Sequence, residues 1–315
     1  MKYWQKLAMS LALAVSAAGI GPAFAAGEAK QQQIDKALAQ DAICTKCHDQ
    51  SEERPVLSIY KTRHGVRADE RTPTCQGCHG TSDDHVKNST HSSTRPPVEA
   101  FSERGKASAK DIESCLGCHS NIRRSHWAGG AHERSGMVCT NCHQMHTDHD
   151  KVRDKVTQPE VCFTCHKEQR ALYTRPSRHP IKDGKMACSD CHNPHGSAGP
   201  TLLLRDSVVA TCYTCHMEKR GPFVRNHAPV QEDCTICHNP HGSTMPNLLK
   251  ARPPFLCQQC HEPATHQGFN ASLSNSNASP GQKANTLARG CLNCHTDIHG
   301  SNNPADRANA RTYRR

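Results

Sequence analysis

The chain has little of what an ordinary domain of its size is built from. Aromatic residues make up 4% of its 315 positions, and mean hydropathy is −0.74. Past the N-terminal segment no apolar run approaches the roughly 18 residues of a membrane-spanning helix. A chain this long with a conventional side-chain core needs more apolar material than this. Nor is any cysteine left over. All twenty lie in ten copies of Cys-x-x-Cys-His. A disulfide framework would not impose histidine after every second cysteine, and neither would a zinc ribbon or a redox dithiol. At histidine's frequency of 23 in 315, ten chance occurrences have a probability of about 10⁻¹¹.

Two thiols separated by two residues and followed at once by histidine form the attachment signature of c-type haem. The cysteines make thioethers to the porphyrin vinyl groups, and the histidine takes the proximal axial position on iron. The ten sites are Cys44, Cys47 and His48; Cys75, Cys78 and His79; Cys115, Cys118 and His119; Cys139, Cys142 and His143; Cys162, Cys165 and His166; Cys188, Cys191 and His192; Cys212, Cys215 and His216; Cys234, Cys237 and His238; Cys257, Cys260 and His261; and Cys291, Cys294 and His295. The expected cofactor is therefore ten covalently bound haem c groups. They supply the apolar interior that the composition lacks, with thin polypeptide wrapped around stacked porphyrins. The fold class expected is a multihaem cytochrome c, mostly irregular with short α-helices, very little strand and an elongated haem wire.

Residues 1–25 read as a secretory signal peptide: Lys2 and Lys6, an apolar run from Leu7 to Ile20, and a small-x-small site at Ala23-Phe24-Ala25. A soluble, exported, periplasmic protein follows, with 26–315 as a single decahaem electron-transfer domain. Cleavage after Ala25 leaves 290 residues, or 29 per haem. The formal charge of +10 invites a nucleic-acid reading. Each haem, however, adds roughly −1 when oxidised and −2 when reduced, once its propionates ionise. The basic excess is then taken up by propionates, and no nucleic-acid partner is expected.

Thirteen histidines lie outside the motifs. Taken in consecutive pairs, the motifs give five units starting near 44, 115, 162, 212 and 257. Each unit reads motif, histidine, motif, histidine. The interior histidines are His64, His132, His179, His227 and His266. The trailing ones are His85, His146, His195, His241 and His299. These ten are the expected distal iron ligands, making every haem bis-histidine. His91, His126 and His149 fall outside the pattern and are read as non-ligands. Met137, Met145, Met186, Met217 and Met245 are the competing distal ligands, but histidine suffices. Met145 and Trp127 are read as packing groups. His146, His195 and His241 follow a proximal histidine by three residues, a tether too short to pass round to the opposite porphyrin face. They are expected to serve a neighbouring haem.

Along the chain, 26–43 reads as a short polar helix. Residues 86–112 are a polar connection, 269–289 a low-complexity loop and 302–315 an Arg-rich tail. Short helices are expected to start near the motifs, and NPHGS should turn the chain.

SDCHNPHGS at 189–197 recurs as TICHNPHGS at 235–243, and IHGS at 298–301 echoes both. With TCYTCHMEKRGP at 211–222, LCQQCH at 256–261 and CLNCHTDIHGSN at 291–302, these segments make the chain resemble the periplasmic decahaem c-type cytochromes of the MtrA/MtoA/PioA/DmsE family over about 40–315. The resemblance implies a bis-histidine wire seated in an outer-membrane β-barrel porin of the MtrB/MtoB type. It implies electron exchange with periplasmic or inner-membrane c-type cytochromes, and with an outer-surface multihaem cytochrome or extracellular iron. Both iron or metal respiration and Fe(II) oxidation occur in that family. No catalytic residue is expected. The alternatives are a multihaem redox enzyme with an open haem site and a free periplasmic electron shuttle. Cys-x-x-Cys-Lys, the attachment variant that leaves lysine on iron, is absent.

Overall fold

The computed structural model describes residues 21–49, 51, 55–66, 72–88, 109–121, 124–261, 291–293 and 295–303. Helices are short, and the described residues contain no extended strand. Four isolated antiparallel bridges, Ser177–Ser243, His192–Leu203, Arg225–Ser301 and His238–Leu249, are the β-structure among them. The multihaem fold class expected from the sequence, short helices with little strand, is what forms. The buried apolar side chains among the described residues are Trp127, Val138, Pro159, Phe163, Ala187 and Leu203. So small a set cannot hold this much chain by burial alone.

The motifs organise the helices. In each, the amide of the histidine donates to the carbonyl of the first cysteine, as from His143 to Cys139 at 2.8 Å and His216 to Cys212 at 2.9 Å. One helical turn therefore sets the two sulfurs and the imidazole at fixed offsets. The first motif of each pair lies at the C-terminal end of an α-helix: Cys44 in Gly21–Thr45, Cys115 in Ala109–Leu116, Cys162 in Gln158–Phe163, Cys212 in Val208–Cys212 and Cys257 in Phe255–Gln258. The second motif opens a helical turn: Cys75–His79 as α-helix, and Cys139–Asn141, Cys188–Asp190, Cys234–Ile236 and Cys291–Asn293 as 3₁₀. The expectation that helices start at motifs thus holds for one motif in two. At the other, the helix precedes the thiols and delivers them. The helix expected over 26–43 forms as Gly21–Thr45. Residues 1–20, which hold most of the expected signal peptide, lie outside the described residues, as do His91, His266, Cys294, the 269–289 loop and the tail from 304.

Contacts divide the chain into two units. The first is Met1–Phe101 with Gln144–His149, and the second is Ser102–His143 with Asp150–Arg315. In the first unit, the buried Asp41 accepts from Tyr60 Oη at 3.1 Å and from the Cys75 amide at 2.9 Å. One carboxylate thereby ties the helix bearing Cys44 to the turn bearing Cys75. Replacing Asp41 with alanine removes the acceptor for both donors. A loss of about 1–3 kcal/mol is expected. It would be read as earlier proteolysis between the first two motifs, and unchanged cleavage would rule the tie out.

In the second unit, the repeated loops carry the architecture. Asn193 and Asn239 each accept, through Oδ1, the amide of the histidine two residues on, both at 3.2 Å. Their own amides donate to the carbonyls of Leu202 (2.7 Å) and Leu248 (2.8 Å). The return segments PTLLL and PNLLK place Thr201, Leu202, Asn247 and Leu248 at φ between 50° and 61°. Left-handed backbone at non-glycine residues costs about 1–3 kcal/mol each and clusters where the geometry has a use. Here it turns the Thr201 and Asn247 carbonyls onto His192 and His238.

The loops also dock one repeat onto the next. Ser243 and Ser177 exchange two backbone hydrogen bonds, at 2.8 and 3.1 Å. Ser301 and Arg225 do the same, both at 3.0 Å. Ser177 and Arg225 each lie two residues before an interior histidine. The glycines before these serines sit against the preceding repeat, so closely that a Cβ on Gly242 would lie 2.1 Å from the Leu172 carbonyl oxygen, and one on Gly300 2.3 Å from the Phe223 ring.

Candidate haem sites

Among the described residues, eight histidine pairs can be placed with ring centroids 6.0–6.3 Å apart, and each of these joins one motif histidine to one histidine outside the motifs. In the first unit they are His48 with His85 and His79 with His146. In the second they are His132 with His166, His143 with His195, His179 with His216, His192 with His241, His227 with His261, and His238 with His299. Iron–nitrogen bonds of about 2 Å on opposite porphyrin faces put imidazole centroids about 6 Å apart. The interplanar angle is free in that arrangement, because both rings contain the iron–nitrogen axis. It runs from 9° at His143–His195 to 88° at His132–His166.

The pairing has a register. His132, His179 and His227 lie opposite the first motif histidine of the following repeat. His146, His195, His241 and His299 lie opposite the second motif histidine of the preceding one. None of these seven pairs with a histidine of its own repeat. His85 pairs with His48 inside the first repeat. His64 sits in the turn after Val56–Lys61, where its amide donates to Thr62 Oγ1 at 3.2 Å. His126 and His149 are exposed. His126 contributes its carbonyl oxygen to the seat of Gly196.

The imidazoles are set up as nitrogen donors. Nδ1 lies within hydrogen-bond distance of a carbonyl oxygen at His132 (Pro194, 2.8 Å), His146 (Val56, 3.2 Å), His179 (Pro240, 2.9 Å), His192 (Thr201, 3.0 Å) and His238 (Asn247, 2.7 Å). A carbonyl can only accept, so Nδ1 carries the hydrogen and Nε2 keeps the lone pair a metal needs. At His143 the acceptor is a carboxylate, Asp150 Oδ2 at 2.7 Å. Burial pushes His192, His227, His241 and His299 below the usual histidine range. Burial, with His143, Arg124 and His132 nearby, pushes His195 down to about 4. The neutral, ligating form is thus the one present at neutral pH. Trp127, buried, stands 6.3 Å from the His195 ring.

The cysteines adjoin in chain order. Hydrogen-bonding contacts link the first cysteines of the two motifs in every repeat: Cys44 with Cys75, Cys115 with Cys139, Cys162 with Cys188, Cys212 with Cys234 and Cys257 with Cys291. Successive repeats of the second unit approach as well: Cys162 feels the charge of Cys142, Cys191 that of Cys215 and Cys237 that of Cys260. Within that unit each motif therefore neighbours the next. The described residues contain no cluster of three or more His, Cys, Asp or Glu side chains able to hold a metal ion directly. The donor set suits haem, with two sulfurs and one imidazole per turn and a second imidazole opposite.

Sequence reasoning missed the groups that orient the rings: the Thr201, Asn247, Pro194 and Pro240 carbonyls and the Asp150 carboxylate. The second PTLLL-like segment, PNLLK, was the signal that could have revealed the first two.

Turns that present two thiols and an imidazole, with a second imidazole about 6 Å away, define a multihaem c-type cytochrome. Comparison with known proteins agrees. A doubled Cys-x-x-Cys-His family model matches residues 179–221 and 227–266, and a model for NrfB-like c-type cytochrome proteins matches 75–157. The chain is 44% identical over 269 residues to the multihaem cytochrome MtrA of Shewanella baltica (strain OS185), covering 83% of this chain and 78% of that protein. The chain belongs to the MtrA family of multihaem c-type cytochromes. It carries several covalently bound haem c groups, and its general function is electron transfer.

Proposed function

We propose that the chain is a ten-haem wire carrying electrons between the periplasm and the cell exterior. Each iron is held by a proximal motif histidine (His48, His79, His119, His143, His166, His192, His216, His238, His261 or His295) and a distal one (His64, His85, His132, His146, His179, His195, His227, His241, His266 or His299). The observation that carries this reading is the set of eight pairs of a motif histidine and a histidine outside the motifs at 6.0–6.3 Å, with motif next to motif within the second unit. Haem supplies one-electron Fe(III)/Fe(II) chemistry. The protein's part is to space the sites, to orient imidazoles such as His132, His143, His146, His179, His192 and His238 through Nδ1, and to offer two imidazoles to each iron, so that no substrate reaches it. Cross-repeat pairing makes each repeat depend on its neighbours and keeps successive sites close.

No helix among the described residues is long and apolar enough to cross a membrane. Following the family, the chain works from the periplasm and is seated in an outer-membrane β-barrel porin of the MtrB/MtoB type. The barrel insulates the wire. Periplasmic or inner-membrane c-type cytochromes exchange electrons at one end, and an outer-surface multihaem cytochrome or extracellular iron at the other. The 26–315 segment then acts as one electron-transfer domain behind a 1–25 signal peptide, serving metal respiration or Fe(II) oxidation.

The test is carbon monoxide binding to the fully reduced protein, with haems counted by mass spectrometry. Ten haems and no carbon monoxide adduct are expected, since six-coordinate iron leaves no position for it. Uptake by any haem would show an open site and return the redox-enzyme reading. Co-purification with the porin from solubilised outer membranes is the companion measurement, and its absence would favour a free shuttle.

A further inference from the structure

The repeats act as internal controls for one another at the second motif of a pair. His192 and His238 each lie opposite the trailing histidine of the next repeat, and each is oriented by a carbonyl nine residues on, Thr201 or Asn247. His143 occupies the same position in the preceding repeat and lies opposite His195 with the rings 9° from parallel. There the acceptor is the side chain of Asp150, seven residues on, at 2.7 Å. The Asp150 side chain is 14% exposed and that of His143 is 28% exposed, so solvent does not screen the contact away. Another carboxylate near a motif histidine, Glu218, stands 3.7 Å from His216 Nδ1 with both side chains more than half exposed, too far for a hydrogen bond.

A carboxylate differs from a carbonyl by a full negative charge. Hydrogen-bonded to the Nδ1–H of a ligating imidazole, it makes Nε2 a stronger donor, which favours the higher charge on iron. Fe(III) is then stabilised relative to Fe(II), and the reduction potential falls.

We propose that Asp150 is a positioning residue that makes the haem on Cys139 and Cys142 a low-potential step in the wire, below the equivalent haems on Cys188 and Cys191 and on Cys234 and Cys237. A haem held here by His143 and His195 would accept one electron from the haem of a neighbouring motif and give one electron to the next, with the Nδ1 proton staying on His143. Under partial reduction this haem is the last of the three equivalent sites to fill. It separates the electron occupancy of the motifs before it from that of the motifs after it.

The inference rests on the bis-histidine reading above, and the experiment keeps the two apart. Holoprotein with Asp150→Asn is compared with the unchanged protein by haem count, low-spin spectrum and potentiometric titration followed by electron paramagnetic resonance. The expected result is ten low-spin haems in both, with one low-potential one-electron component moved upward in the variant and the other nine unmoved. Asp150→Glu, which keeps the charge, should retain that component. Asp150→Ser, which removes it differently, should move the same one. An unchanged potential distribution with ten low-spin haems would overturn the proposal. So would a high-spin fraction with no upward shift, which would reduce Asp150 to a structural contact. Carbon monoxide binding by the unchanged protein would instead count against the ligand reading.

Discussion

Replacing His241 with alanine is expected to convert one haem of the chain, the one on Cys188 and Cys191, from six-coordinate low-spin to five-coordinate high-spin, and to create a single carbon monoxide site. The His241 ring lies 6.0 Å from that of His192 and 16° from parallel to it. Burial, and then the charges of His192 and His179, push it below the usual histidine range, so it arrives at iron neutral. The Asn239 turn commits the backbone to presenting residue 241. The spectroscopic change should involve about one haem in ten, with the haem count by mass unchanged. An unchanged low-spin spectrum would remove His241 from the ligand set. The controls are His91→Ala, His126→Ala and His149→Ala, which should leave every haem low-spin. A high-spin fraction in any of them would break the repeat assignment. Function should suffer more than the spectrum suggests. Within the second unit each motif neighbours the next, so an altered site there interrupts the sequence of neighbours.

Covalent haem attachment leaves a rigid signature in the chain. The Cys-x-x-Cys-His turns are local, so ten candidate sites could be named without any tertiary information. The alternation of motif and free histidine pointed to the same ten distal candidates, eight of which now stand opposite a motif histidine. Which histidine faces which motif was not legible. His132 lies nearer in sequence to His143 than to His166, and only docking between repeats brings it to His166. The frame of the repeat was equally free. A cyclic pattern can be cut anywhere, and the doubled-motif family model cuts it at His179 and His227 rather than at the cysteines. The Asp150 carboxylate was invisible for a different reason. It takes the place of a backbone carbonyl, and a carbonyl belongs to every residue type.

Gly242→Ala is expected to loosen the junction between the third and fourth repeats at a cost of about 2–4 kcal/mol. Two effects add. Gly242 has φ of 142°, a region that side-chain-bearing residues rarely adopt, and a Cβ there would stand 2.1 Å from the Leu172 carbonyl oxygen and 2.9 Å from its carbon. Backbone cannot yield to that contact as a side-chain tip could, so the loop must withdraw. Withdrawal breaks the paired Ser243–Ser177 hydrogen bonds, and with them the Pro240 carbonyl that orients His179. It also draws His241 away from His192. One methyl group should therefore disturb two haems, those on Cys188 with Cys191 and on Cys212 with Cys215, although it touches neither motif. The measurement is thermal unfolding together with the high-spin fraction of the oxidised holoprotein. Gly129→Ala is the control, since that glycine also has positive φ but a Cβ there would meet no atom within 4 Å. If Gly242→Ala and Gly129→Ala prove equally mild, the glycine of NPHGS is a turn residue only. A selective loss at 242 would show why the motif repeats as a unit: asparagine to turn the chain, proline to offer its carbonyl, histidine to face iron, glycine to allow the approach and serine to hold it.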